Sequence, residues 1–403
     1  MALIEPPLAL YLHFPWCVHK CPYCDFNSHT LHGELPEHAY LDALRADLDA
    51  QLPHLNHRTI TSVFLGGGTP SLFSPDALGN LFASITARVK IAPDAEWTLE
   101  ANPGTIERGR FSDYRAVGIN RVSLGAQSFQ AEQLVRLGRI HSAPDTRAAV
   151  AELHQSGLSN FNLDLMYALP GQDLASALSD VRAAIELAPA HISHYQLTME
   201  PGTVFGGRPP AGLPNDELSF DMQLHCQAEL ARAGYVQYEI SAYARPGAQC
   251  IHNLNYWHFG DYLGVGAGAH GKLTQAASGT ILRTVREREP RRYQSRGAAT
   301  AATTTLVAAA ERPFEFMMNA LRLTDGFDSA LFESRTGLAW SYLRPIIHRL
   351  ENRGLLAQAP GCEHWGPTEL GFRFLNDVIA DFLPTVSAAQ KNQAPKNVEA
   401  PVV

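Results

Sequence analysis

The sequence predicts an α/β protein: an incomplete (β/α)6 barrel of the TIM kind with a small C-terminal winged-helix-like domain. Two observations point to the barrel. Short apolar runs alternate with amphipathic stretches up to about residue 240, the pattern of parallel strands with helices outside them. Glycines and polar residues gather where the apolar runs stop, as they do at the C-terminal rim of a barrel.

Candidate strands are Leu8–Phe14, Ile60–Leu65, Trp97–Ala101, Arg121–Leu124, Asn160–Tyr167, His191–Thr198 and Tyr235–Ala242. Candidate helices are Glu37–Gln51, Pro75–Val89, Ala143–Gln155, Leu174–Leu187 and Asp216–Ala233. Cys17, Gly66–Gly68, Glu100, Gln127 and Asp164 all end or follow a strand, which sets them on one rim. The barrel is expected over 1–244. Residues 245–312 read as a partly mobile connector, with glycines from Gly264 to His270, a basic run from Arg283 to Arg296 and an Ala/Thr patch. No Gly-Lys-Ser/Thr ending follows those glycines, which excludes a phosphate loop. Over 313–383, helical patterns at Pro313–Leu323, Asp328–Thr336, Trp340–Arg353 and Thr368–Phe382, with a hairpin near His364, resemble a winged-helix module. Residues 384–403 are polar and Pro-containing, and are expected to be disordered.

A chain of 403 residues, 45% hydrophobic and 18% charged, can build a sizeable core. Its net charge of -8 argues against a dedicated nucleic-acid binder, which needs clustered Lys and Arg. No apolar run of about 18 residues appears, so no membrane span is expected. The start lacks the pattern of a secretory signal, and a cytoplasmic location is expected.

Three of the six cysteines, Cys17, Cys21 and Cys24, fall within eight positions. Crowding of this kind is a metal or redox pattern in a reducing compartment, not a disulfide framework. The spacing CxxxCxxC suits three thiolates on a cubic iron–sulfur cluster, leaving one iron open for chemistry. Pro15 and Pro22 oppose the alternative of one helix with a cysteine stripe. Structural zinc with His13 or His19 as fourth ligand is the other alternative, although Cys226, Cys250 and Cys362 supply no second pair.

CxxxCxxC with Tyr23 before the last cysteine resembles the radical S-adenosylmethionine superfamily. Leu65-Gly-Gly-Gly-Thr-Pro70 after the second strand is similar to that superfamily's glycine-rich motif. The resemblance implies a [4Fe–4S] cluster on the three cysteines. It also implies one or two molecules of S-adenosylmethionine, whose sulfonium bond breaks on one-electron reduction. Further runs narrow it to the oxygen-independent coproporphyrinogen oxidase group: Thr98-Leu-Glu-Ala-Asn-Pro-Gly104, Leu124-Gly-Ala-Gln-Ser-Phe129, Leu137-Gly-Arg139 and Asn162-Leu-Asp-Leu-Met-Tyr-Ala-Leu-Pro-Gly171. By resemblance, Tyr11, Tyr23, Gly67, Gly68, Thr69, Glu100, Gln127, Arg139, Asp164 and Thr198 contact the nucleotide.

Two features point to the HemW-type haem chaperone branch. Oxidases of the group carry a further Cys two residues past the third ligand, where this chain has Phe26. His252-Asn-Leu-Asn-Tyr-Trp257 resembles the HNxxYW motif of haem-handling members. His252 is then an axial haem ligand, with Tyr256 and Trp257 as flat apolar surface. A solitary histidine is more commonly a hydrogen-bonded structural residue, so both readings stand at this point. The implied partners are haem-acceptor (respiratory) proteins and an electron donor for the cluster. Peripheral membrane contact and a homodimer stay open. The competing activity is radical oxidative decarboxylation of coproporphyrinogen III. A third reading, DNA binding through Arg344, His348, Arg349 and Arg353, is weakened by Glu351 and the acidic chain.

Overall fold

The computed structural model describes residues 2–55, 57–104, 109–296, 302–359 and 364–384. Six parallel strands run in chain order: β1 (Leu8–Phe14), β2 (Thr59–Gly67), β3 (Lys90–Ala101), β4 (Arg121–Gln127), β5 (Phe161–Tyr167) and β6 (His191–Gln196). Helices Glu37–Gln51, Pro75–Thr86, Ala143–Ser156 and Leu174–Glu186 return between them. Their starts are written locally. Ser74, Ser142 and Asp173 each accept a backbone N–H of the first turn, which satisfies a donor the helix itself cannot. Apolar helix residues such as Leu41, Leu44, Leu81 and Leu153 join strand residues such as Leu10, Val63, Leu99 and Leu163 in one buried core.

The strand pleat sends the alternate residues to the other face. There the register sets Tyr11 beside Phe64, Phe64 beside Thr98, Glu100 beside Ser123, Ser123 beside Asn162, and Asn162 beside His191. Side-chain bonds join these strands across the interior. The Asn162 amide donates to Ser123 at 2.8 Å, and its oxygen lies 2.7 Å from His191 Nδ1. The outer face is apolar and the inner face carries the polar chemistry.

Several expectations change. Tyr235–Ala242 is not one strand but an antiparallel hairpin, β7 (Val236–Glu239) and β8 (Ala242–Ala244). The Glu239 carboxylate accepts the Ser241 N–H at 2.9 Å and turns the chain there. Residues 245–312 are not a connector over their described length. Helix Ile251–Trp257 is followed by β9 (Asp261–Val265), a seventh parallel strand beside β1. The sheet then continues antiparallel through β10 (His270–Gln275), β11 (Thr280–Val285) and β12 (Thr303–Leu306). Of these strands, β9 and β10 hide in the sequence because they carry buried charge. Asp261 is buried between Arg58 at 2.8 Å and Lys272 at 2.9 Å, so the apolar run that announces a strand is missing.

The C-terminal unit has helices Arg312–Ala320, Ser329–Thr336 and Arg344–Asn352 around a sheet ordered β13 (Phe327–Asp328), β15 (His364–Pro367), β14 (Leu356–Gln358). Trp340–Arg353 splits into a 3-10 turn at Trp340–Tyr342 and a helix that restarts with Pro345 in its first turn. Thr368–Phe382 breaks at Phe374 into two short helices. Its core includes Leu3, Phe259, Ile281 and Val307 from outside the unit, so it is docked on the barrel. On the helix proposed to read DNA, Arg349 and Arg353 face Asp381 at 3.7 and 2.9 Å, which takes up their charge. Of the tail, residues 385–403 lie outside the described residues.

Candidate cluster and nucleotide site

The loop bearing the three cysteines leaves the C-terminal end of β1. Trp16–Cys17 pairs with His29–Thr30, which closes the loop on itself. Pro22 sits in a turn in which the Cys24 N–H donates to the Cys21 carbonyl at 3.2 Å. All three cysteines are half-buried. Burial pushes Cys17 up to about 11 and also raises Cys24, so both are thiols until a metal displaces the proton. Among the described residues no three His, Cys, Asp or Glu converge on a point that would hold a single metal ion, as zinc requires. The thiolates of a cubane sit on separate irons and need no such convergence.

Glycines bring β2 against this loop. The Gly68 N–H donates to the Phe14 carbonyl at 2.7 Å and the Thr69 N–H to the Trp16 carbonyl at 2.8 Å. A Cβ on Gly68 would lie 2.6 Å from the Trp16 carbonyl oxygen. Gly67 has φ +111, and a Cβ there would collide with the His13 ring. That ring cannot yield, because its nitrogens are held by Tyr11 Oη at 3.0 Å and the Asn27 carbonyl at 2.9 Å. The close approach therefore demands glycine.

Below the loop lie two partly buried carboxyls, Glu100 and Asp164. Burial first, and then Asp164, push Glu100 up to about 8. Burial raises Asp164 as well, although it accepts from Asn162 at 2.7 Å and Ser123 at 3.3 Å. Glu100 also accepts the Gly67 N–H at 3.0 Å. Arg121, a cation whose charge reaches both, is 3.8 Å from Glu96. The chamber is thus rich in acceptors and suits ribose hydroxyls or an amino group. Gln127, at φ +63, is a non-glycine in the left-handed region and accepts from Tyr195 Oη at 2.9 Å. Tyr11 is stacked on Phe64 at 6.2 Å. Tyr23 packs on Phe205 at 6.5 Å, beside Cys21. Thr198 lies exposed, two residues past the end of β6.

Arg139 is not presented as a free fork. Its Nη1 lies 3.5 Å from Cys21 Sγ, and its Nη2 donates to the Gly125 carbonyl at 2.9 Å and to Asn102 Oδ1. Asn102 in turn donates to Thr69 Oγ1 at 2.9 Å. The sequence reading assigned no role to Asn102, although an Asn-Pro-Gly at a strand end was the available signal. It also passed over Arg121, Asn162 and Tyr195, whose signal is a polar residue at every second strand position.

The HNxxYW segment lies elsewhere. Helix Ile251–Trp257 sits at the opposite, N-terminal ends of the strands. There the Glu96 carboxylate accepts the Ile251 and His252 N–H groups, each at 3.2 Å. His252 is 2% exposed; its Nδ1 is 3.0 Å from Ser62 Oγ and its ring stacks on Phe64 at 4.9 Å. Burial, then Arg121, lower it to about 3, so it is neutral. Its Nε2 is buried and has no hydrogen-bond partner. Tyr256 packs on Tyr262 at 4.3 Å, and Trp257 lies under the Arg322 guanidinium at 4.3 Å. Trp257 is buried beneath its neighbour, while Tyr256 stays partly exposed.

Comparison with known proteins follows the same division. The radical SAM superfamily matches residues 11–184, and the HemN C-terminal domain matches residues 307–374. A protein of Escherichia coli K12 named heme chaperone HemW is 49% identical over 379 residues, 94% of this chain and 98% of that one. The Haemophilus influenzae protein of the same name is 47% identical, with the same coverage. This chain belongs to the HemW family. The structure titled coproporphyrinogen III oxidase (HemN) from Escherichia coli is 22% identical, with a TM-score of 0.78 over 94% of this chain and 90% of that one. That likeness shows a shared radical SAM fold. A radical SAM domain implies a [4Fe–4S] cluster and S-adenosylmethionine. The half-buried cysteines, the glycine-cleared cradle and the acceptor chamber fit both groups. Among the described residues, no helix is long and apolar enough to cross a membrane.

Proposed function

We propose that this chain is a haem chaperone on a radical SAM scaffold. It holds a [4Fe–4S] cluster through Cys17, Cys21 and Cys24 and carries haem to acceptor proteins. The observation that carries this reading is the 49% identity, over nearly the whole of both chains, to a protein named heme chaperone HemW. Together the cluster held by Cys17, Cys21 and Cys24 and a bound S-adenosylmethionine would supply one-electron cleavage of a sulfonium bond. Around it, Gly67 and Gly68 admit the ligand to the backbone, and Glu100 and Asp164 accept its hydrogen bonds. Thr69, Gln127, Tyr11 and Tyr23 shape the walls, and Thr198 stands on the rim.

His252 is the proposed haem ligand. Ser62 holds its Nδ1 and leaves Nε2 without a partner, the arrangement of a histidine reserved for iron. Its burial requires helix Ile251–Trp257 to move before haem can reach it. Anaerobic reconstitution followed by haem titration tests this. A stoichiometric Soret band is expected in wild type and its loss in His252→Ala; an unchanged band in the variant removes His252 from the site, and no band in wild type rejects the chaperone. The oxidase alternative lacks a thiol at Phe26, which is 40% exposed beside the cysteines. Product formation from coproporphyrinogen III under anaerobic conditions would favour it; none is expected.

A further inference from the structure

The web around Arg139 has a consequence beyond nucleotide binding. The guanidinium reaches the sulfur of a cluster cysteine at 3.5 Å, with Nη1 as the donor. It is partly buried among these partners, where water screens its charge less than on an open surface. Nη2 is held by the Gly125 carbonyl and by Asn102. Asn102 is held in turn by Thr69, so one chain of hydrogen bonds, Thr69–Asn102–Arg139–Cys21, ends on a cluster cysteine. Gly125 keeps the space clear: a Cβ there would lie 3.4 Å from Nη2 and 3.3 Å from Asn102 Oδ1. Nε is buried without a partner, so the guanidinium is held at one edge only.

We propose that Arg139 sets the reduction potential of the cluster, with Asn102 as the residue that positions it. A cation donating an N–H to a ligand sulfur favours the state with one more electron, because that state puts more negative charge on the sulfurs. This assigns Arg139 a task that is present before any nucleotide binds. It rests on the cluster half of the function proposed above and is independent of the haem half.

The test is an EPR-monitored redox titration of reconstituted protein without S-adenosylmethionine. It compares wild type, Arg139→Gln, Arg139→Lys and Asn102→Ala, with iron and sulfide measured in each. Removing the charge should shift the midpoint to more negative potential, so that the ratio of reduced to oxidised cluster at a fixed potential falls by about tenfold, the scale of one charge-assisted hydrogen bond. Arg139→Lys, which keeps charge but loses the fork, should shift less, and Asn102→Ala should fall between. A full cluster whose midpoint ignores residue 139, with only nucleotide affinity reduced, overturns the proposal. Wild type labelled with ¹⁵N-arginine supplies a readout that needs no variant to fold. A hyperfine coupling between the reduced cluster and a guanidinium nitrogen is expected, and its absence also overturns the proposal. A wild-type chain that takes up no iron and sulfide overturns the cluster reading itself, and this inference with it.

Discussion

The two ends of the barrel carry motifs of equal clarity in the sequence, yet they are built on opposite principles. At the C-terminal end, the cysteine loop and Gly66–Gly68 keep backbone and sulfur half-open, with room cleared by missing side chains. At the N-terminal end, helix Ile251–Trp257 is pinned by Glu96 and sealed, with His252 stacked on Phe64. The open end gains chemistry by withholding contacts. The closed end gains stability by completing them, apart from the unpartnered Nε2 of His252 and Nε1 of Trp257. A motif therefore shows which residue types meet, and not whether a ligand can reach them.

The contrast can be broken at several points. The largest effect is expected from Cys21→Ser, which should drop iron and sulfide to background while leaving the far-ultraviolet circular dichroism intact. Unfolding would mean that the open end is structural after all. Gly67→Ala should cost about 3 kcal/mol from strain and overpacking together, read as a shift in the denaturation midpoint. A neutral result would show that the His13 ring is free to yield.

His252→Ala should destabilise the fold by about 2 kcal/mol through a cavity and an orphaned Ser62 hydroxyl, and leave cluster content unchanged. Loss of the cluster in this variant would show that the two ends are coupled through Phe64 and Tyr11, whose rings lie between them. Glu100 supplies a pH-dependent comparison. Its carboxyl sits at about 8 in the folded chain against an ordinary 4.5, so the native state binds the extra proton. Its contribution is fully present below pH 4.5 and is lost as pH rises through 8. Stability of Glu100→Gln relative to wild type should therefore increase between pH 5 and 8.5; a flat difference would place the buried proton elsewhere. The smallest effect belongs to Asp381→Asn, within about 0.5 kcal/mol, because its pairs with Arg349 and Arg353 are solvent-facing.

Much of the barrel was legible in the sequence. Leu8–Phe14 and Glu37–Gln51 form over the residues read for them, since apolar periodicity and the pleat are local properties. Strands β9 to β12 were not legible. In β9 and β10 the signal is masked by the buried Asp261–Lys272 pair, and a charge neutralised by a residue eleven positions away has no local signature. The same limit applies to Asn102: its place between Thr69 and Arg139 exists only once β2, β3 and the segment after β4 are side by side.

Residue order alone settled the chemical vocabulary: three thiols within one short loop, a glycine triplet at a strand end, carboxyls at the tips of others. Those are matters of covalent spacing and backbone permission, which a chain carries before it folds. Folding decided the grammar. It turned Arg139 toward a sulfur, made Glu100 hold a proton by enclosing it with Asp164, and shut His252 beneath the barrel. Each of these depends on solvent exclusion and on contacts between strands far apart in the chain, and neither exists until the sheet closes.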